Sequence, residues 1–393
     1  MKKLFAIFEQ THPVVKRAAR FFVAALVVGL GTALVRDTVY QGQDFLVFWR
    51  AGRALLDGQA VYSIARDGAM VYKYPPWTVP FFVPFALLPE VAARWCFGVF
   101  NLVCLFAIFR WLKKSGLARS SIVLCAFLFW GIWAVHALDG QIGLFMLALG
   151  LHLFAARERP WAQGLLVWVL SFKLFPLFLV PLFFRPRAWF SVASSGALVC
   201  LVLSFPIFLR SPTGTTVRET VTHWLDAARS GGTQFGDEKI RGRDNQGLPA
   251  LAMRALKIPA SDTRADLIAA LVIFMVVGLW FLWISKNWDD DERYLAAWAL
   301  LPALHPLAWF HLFVWAFPFA VLRVSRSETG RSLALALIAV SAVALFTQRT
   351  LFGLGQALEL LSIKSLGVAA LILLAGPRVR KSRPPFLKSP STA

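Results

Sequence analysis

Apolar runs long enough to cross a bilayer, about twenty residues each, recur from one end of this chain to the other, and no soluble core can absorb so many. The first extends from Lys16 to Val35. Others occupy 91–112, 120–136, 141–156, a proline-broken pair at 161–184, 188–209, 264–285, 293–304, 306–322, 331–348 and 357–375. The chain is 58% hydrophobic and 16% charged, which fits a solvent of lipid better than one of water. The expected fold is therefore all-α: a polytopic helical membrane protein of about ten to twelve transmembrane or re-entrant helices, with residues 1–393 forming a single integral membrane domain.

The charge pattern gives this bundle an orientation. The formal net charge is +20, yet the basic residues are not gathered into a stripe on a soluble domain, so nucleic acid is excluded as a partner. They cap the apolar runs instead, at Lys2-Lys3, Lys113-Lys114, Arg157 to Arg159, Arg185-Pro186-Arg187 and Arg378 to Lys388. Clusters so placed are retained on the cytoplasmic side. Both termini are expected inside a bacterial plasma membrane, with a retained N-terminal anchor and no cleaved signal peptide. The clusters all land inside if 161–184 is a hairpin that turns near Lys173. Two polar segments, 37–76 and 210–263, then face the exterior, and 377–393 is a disordered basic tail close to anionic headgroups. Cys96, Cys104, Cys125 and Cys200 all sit in apolar runs without metal-ligand spacing and read as small buried hydrophobes.

In the first outer segment Phe45, Phe48, Trp49, Gly52, Leu55 and Leu56 recur at three- and four-residue steps. This predicts a short amphipathic helix on the membrane surface, closed at Asp57-Gly58. The proline-rich stretch from Tyr72 to Pro89 predicts a second interfacial or partly inserted helix.

Charges beside lipid are costly, so each needs a reason. Asp44 opens the predicted surface helix, where it is either an N-cap or a general base at the water–lipid boundary. Asp139, in His136-Ala-Leu-Asp139-Gly140-Gln141, is the second candidate at the outer face, where turn chemistry is favoured over a functional role. Lys173 has apolar residues on both sides and calls for a buried anion. His305 and His311 flank Trp309, and Arg241, Arg243, Asn245, Gln246 and Arg254 crowd the second outer segment, a combination suited to binding an anion. The acidic run Trp288-Asp-Asp-Asp-Glu292 is expected to be a solvated cytoplasmic turn.

Taken in order, Asp44-Phe45, Gly58-Gln-Ala-Val-Tyr62, Tyr72-Lys-Tyr74-Pro75-Pro76, Gly140-Gln141, Lys173 with Pro176, Asn245-Gln246 and Pro306-Leu-Ala-Trp309-Phe-His311 resemble the family 87 glycosyltransferases of GT-C fold, a group that includes polyprenol-phosphate-mannose-dependent α-mannosyltransferases. The resemblance spans about residues 40 to 325. It implies a GT-C-type bundle that takes a sugar from a polyprenyl-phosphate donor to a hydroxyl of a lipid or glycan acceptor among the membrane lipids, with inversion and with no cofactor or metal. It casts Asp44 as the catalytic base. Lys173 and His311 match motif positions as binders of the donor phosphate, and Arg241, Arg243 and Arg254 join them by loop and charge. Tyr74, Gln141, Asn245, Gln246 and Trp309 become substrate-binding candidates. The chain departs from the family pattern at Gly143, where Asn is frequent, at Gly247, where Ser is common, and at Phe310 and Leu312, where Asp and a second His are usual. Two other classes remain open: a transporter or flippase for lipid-linked saccharides, and a ligase that moves whole glycans from a diphosphate carrier.

Overall fold

A computed structural model describes residues 28–173, 177, 180, 184, 188–210, 216–234, 241–258, 263–345 and 348–375. The N-terminal basic cluster, most of the first apolar run, most of the expected 161–184 hairpin beyond Lys173, Arg185 to Arg187 and the basic tail lie outside the described residues. Every regular element among the described residues is helical, as unbroken backbone pairing inside lipid requires.

Among the described residues two helices, Glu90–Lys114 (α1) and Trp189–Arg210 (α2), are long and apolar enough to cross a membrane. The pairs Arg119–Leu128 with Trp130–Asp139, bent by 56°, and Gly353–Leu360 with Ile363–Leu373, bent by 67°, would raise the number to four if each pair is one span. The ten to twelve expected from hydropathy counted re-entrant helices as well as spans, and part of the first apolar run and of the 161–184 pair lies outside the described residues. Apolar runs such as Gly143–Phe154 and Phe310–Ser325 form shorter helices that are packed into the bundle, and Gly330–Ala344 buries one face while leaving Leu335 and Ile338 exposed on the other. Composition alone does not distinguish them from spans, because a helix buried by protein is as apolar as one facing lipid.

The first outer segment differs most from its expected form. The predicted surface helix is real, Gln43–Leu56, and it ends as expected at Asp57 with Gly58 in the left-handed region. Its apolar face, however, does not rest on lipid. Phe45 and Phe48 are 0% and 1% exposed, and Phe48 stacks on Phe82 with ring centroids 4.5 Å apart. Gly52 allows the approach: a Cβ there would lie 2.9 Å from that of Ala86 and 3.0 Å from the Phe82 carbonyl oxygen. The partner is the proline-rich stretch. Pro76 and Pro80 hold residues 76–82 in a 3-10 helix and Pro84 opens the short turn Val83–Ala86, so the expected interfacial helix is instead an irregular aromatic wedge. An aromatic cluster of Phe81, Phe85, Phe97, Phe100, Phe145 and Phe172 then ties this wedge to α1 and to Gly143–Phe154.

The acidic run 288–292 is also not a solvated turn. Asp289 caps the helix Asp290–Leu304 by accepting from the Glu292 amide at 2.6 Å. Glu292, 2% exposed, receives Arg323 at 3.1 Å and Arg326 at 2.6 Å. Arg326 also pairs with Asp289 at 3.3 Å. The helix Phe317–Ser325 delivers the arginines, so this acidic run has its counter-charges about thirty residues downstream in the fold.

Candidate active site

The carboxyl group of Asp44 is not an N-cap. Gly42 occupies the cap position with no side-chain bond, and Asp44 lies in the first turn of its helix with its carboxylate turned to Gln141. The Gln141 amide nitrogen donates to Asp44 Oδ2, while its oxygen accepts from Lys173 Nζ at 3.1 Å. One amide thus joins an acid and a cation that are far apart in sequence, and Lys173 reaches Asp44 through Gln141, not as the direct ion pair that its apolar surroundings called for.

Local backbone geometry makes this bridge possible. The helix Trp130–Asp139 closes with Gly140 in the left-handed region at φ +67°. A Cβ on that residue would come within 2.8 Å of the Phe45 Cβ and 3.0 Å of the Gly42 Cα. Glycine therefore serves twice here: it takes a backbone conformation that side chains disfavour, and it lets the turn press against the start of the Asp44 helix. Thr38 adds a tether, donating to the Ala137 carbonyl at 3.0 Å.

Two further segments converge on the same point. The 72–74 stretch places Tyr74 beneath Lys173, whose Nζ lies 5.3 Å from the ring centroid, and sets Lys73 within electrostatic reach of Asp44. The 3-10 turn Phe310–Ala316 brings His311, whose Nδ1 is 3.0 Å from Asp139 Oδ2. His305 lies nearby, within the field of both Lys173 and His311, and accepts the Leu307 amide on Nδ1 at 3.0 Å. The cluster thus contains two carboxylates, two lysines and several imidazoles drawn from five segments. Burial lifts the Asp44 carboxyl above the usual aspartate range, and Asp139 adds to that shift. Lys173, His311 and Lys73 oppose it. Burial likewise holds Lys73 below the usual lysine range, with Asp44 opposing.

The remaining sequence candidates occupy a neighbouring polar clamp. Asn245 Nδ2 donates to the Pro306 carbonyl at 2.8 Å and its oxygen accepts the Ala308 amide at 2.9 Å. Gln246 donates to the Glu359 carbonyl at 2.8 Å. Arg254 directs its guanidinium to the carbonyls of Gly242, Asn245 and Leu360 and to the Ser362 hydroxyl. Arg243, 40% exposed, faces Glu359 at 3.7 Å, and Arg241 lends its carbonyl to Arg254. Asn245 and Gln246 are fully buried. Their hydrogen bonds hold the 305–309 segment, with half-buried Trp309 at its end, against the second outer segment and the C-terminal helices. The structure does not join these groups to Asp44 by any hydrogen bond among the described residues.

Turn chemistry alone does not account for Asp139, and Lys73, inside the Tyr-Lys-Tyr motif, joins the site without a role expected from the sequence. The clue to Lys73 was its place between two aromatic residues beside a proline pair. For Asp139 no local signal existed, since its partner is 172 positions away. Among the described residues no three His, Cys, Asp or Glu side chains are grouped as a metal site would need.

The sequence profile of Glycosyltransferase family 87 matches residues 72–305, more than half of the chain. That interval contains Lys73, Asp139, Gln141 and Lys173; Asp44 and His311 lie just outside it and reach it through Gln141 and Asp139. Neither the curated proteins nor the solved structures compared with the chain contain a match.

Proposed function

The chain belongs to glycosyltransferase family 87, and from that premise we propose that it moves a sugar, a hexose such as mannose, from a polyprenyl-phosphate donor to a hydroxyl of a lipid- or glycan-linked acceptor. The reaction takes place at the outer face of a bacterial plasma membrane, in a GT-C-type bundle with both termini cytoplasmic. One observation carries the reading: Gln141 holds a half-buried carboxylate and a lysine ammonium on opposite ends of a single amide.

Glycosyl transfer from a lipid phosphate requires a proton acceptor on one side of the anomeric carbon and positive donors where the phosphate gathers charge on the other. Asp44 is the base. It takes the proton of the acceptor hydroxyl as the oxygen attacks, and the bond to the phosphate oxygen breaks in the same displacement, with inversion. Lys173 and His311 receive the phosphate, and Lys73, Arg241 and Arg243 extend the positive field. Tyr74 and Trp309 offer aromatic surface to the sugar. Asn245, Gln246 and Arg254 act at one remove by fixing the segment that carries His305 and His311. The Gln141 bridge keeps the base and the phosphate pocket in register, which is where positioning contributes to rate.

The test is sugar release from a synthetic polyprenyl-phosphate hexose by the purified full chain in nanodiscs. Asp44→Asn should reduce turnover by roughly 10²–10⁴-fold, the usual contribution of a general base, without moving the thermal midpoint. Undiminished transfer by Asp44→Asn removes that residue from the mechanism. Turnover of an oligosaccharide diphosphate in place of the monophosphate donor would favour the ligase class.

A further inference from the structure

Asp139 is misplaced by the rules of helix electrostatics. It is the last residue of the helix Trp130–Asp139, where unpaired carbonyls give a partial negative charge and a carboxylate is disfavoured. Nor does it act as a turn residue: its carboxylate bonds no turn amide among the described residues, and its one hydrogen-bond partner there is His311 Nδ1 at 3.0 Å. The carboxylate itself is 42% exposed, while the His311 side chain is 7% exposed. The other ring nitrogen of His311, Nε2, is buried and has no hydrogen-bond partner among the described residues. An enclosed imidazole with one nitrogen fixed and the other unused is arranged to meet a ligand.

We infer that Asp139 is a positioning residue: it grips His311 through Nδ1, so that Nε2–H points at the phosphate oxygen from which the sugar departs. This inference rests on the glycosyl-transfer reading and adds a residue and a role to it. The charged and titratable groups around His311 are Asp139 itself, Asp44 on the helix Gln43–Leu56, His136 on the helix Trp130–Asp139 and His305 at the start of the same loop, with Lys173 reaching Asp44 and His305. Lys364, from the helix Ile363–Leu373, sits over the neighbouring Phe310 ring at 4.8 Å.

In the transfer step the acceptor oxygen forms the new bond to the anomeric carbon and gives its proton to Asp44. The old carbon–oxygen bond breaks and its electron pair stays on the phosphate oxygen. His311 keeps both of its protons. Nδ1–H remains on Asp139 and Nε2–H stabilises the new phosphate charge as a hydrogen bond. The Asp139 carboxylate balances the imidazolium throughout.

Asp139→Leu removes the grip. It should lower kcat roughly ten- to a hundredfold, the size of one charge-assisted hydrogen bond, with little change in donor KM. Asp139→Asn, which can still accept from Nδ1–H, should recover part of that loss. In a His311→Gln background Asp139→Leu should cost nothing more, because the residue it positions is gone; independent, multiplying losses would overturn the proposal. A second arm does not depend on turnover. With ¹⁵N-labelled histidine in the full-length protein, the His311 ring should show both nitrogens protonated in the wild type, with the Nδ1 signal changed strongly by Asp139→Leu and weakly by Asp139→Asn. An Nδ1 signal indifferent to Asp139→Leu, or an unprotonated Nε2, overturns it. If the wild type fails to consume the donor, the glycosyl-transfer reading falls on its own, and the histidine spectrum still decides whether Asp139 fixes His311.

Discussion

The charges folded around Glu292 and those around Asp44 are built on opposite plans. Around Glu292 the charges close on one another: Arg323 and Arg326 converge on one carboxylate, Asp289 receives the surplus arginine, and a second arginine donor reaches the Leu374 carbonyl. Around Asp44 the pairing is indirect. An amide stands between acid and lysine, and a buried imidazole nitrogen is left over. Direct pairing of the first kind neutralises its charges within the fold and holds helices together. Indirect pairing of the second kind keeps an acid and a cation apart, an arrangement worth its cost in stability where something else completes it.

Breaking the closed cluster should produce the largest change. Glu292→Ala leaves Arg323 and Arg326 facing each other without their shared anion, and removal of one member of such a buried set costs about 3–5 kcal/mol. Denaturant unfolding should register the loss, while transfer per folded molecule stays near wild type. If transfer fell with stability intact, the distinction between the two clusters would be wrong. The open cluster should respond in the other currency. Gly140→Ala puts a methyl group against Phe45 in a strained backbone conformation. It should loosen Gln141 from Asp44 and reduce kcat about tenfold, an effect expected when reacting groups drift by a fraction of an ångström. The finest test is the acid limb of kcat/KM. Because burial raises the Asp44 carboxyl, the base is lost as pH falls through a value above the usual aspartate range. Lys73 opposes that rise, so Lys73→Met should move the limb to still higher pH. A limb at the ordinary aspartate position would mean that Asp44 is hydrated and not the titrating base.

The same contrast explains what could be read before folding. Helicity, lipid and the surface-helix period of Phe45, Phe48, Gly52 and Leu55 follow from local composition, and the structure contains that helix with the expected stop at Asp57-Gly58. What covers its apolar face could not be read, since lipid and the aromatic wedge of residues 76–86 make the same demand on a sequence. Lys173 was legible as a charge in need of an anion because its neighbours in the chain are apolar. Its link to Asp44 through Gln141 was not, because the two ends of that amide bridge meet groups 97 and 32 positions away. The acidic run at 289–292 misled for a related reason. Four consecutive acids look solvated until the arginines that neutralise them are folded into place.

The 56° elbow at Phe129 has a consequence for the membrane itself. The helix beyond it, carrying Ile132, Trp133 and His136, is buried by protein neighbours on that face. Its depth is thus set by the bundle and is insulated from hydrophobic mismatch. Lipids with longer or shorter acyl chains would act first on the exposed apolar faces of α1 and α2 and least on this enclosed helix.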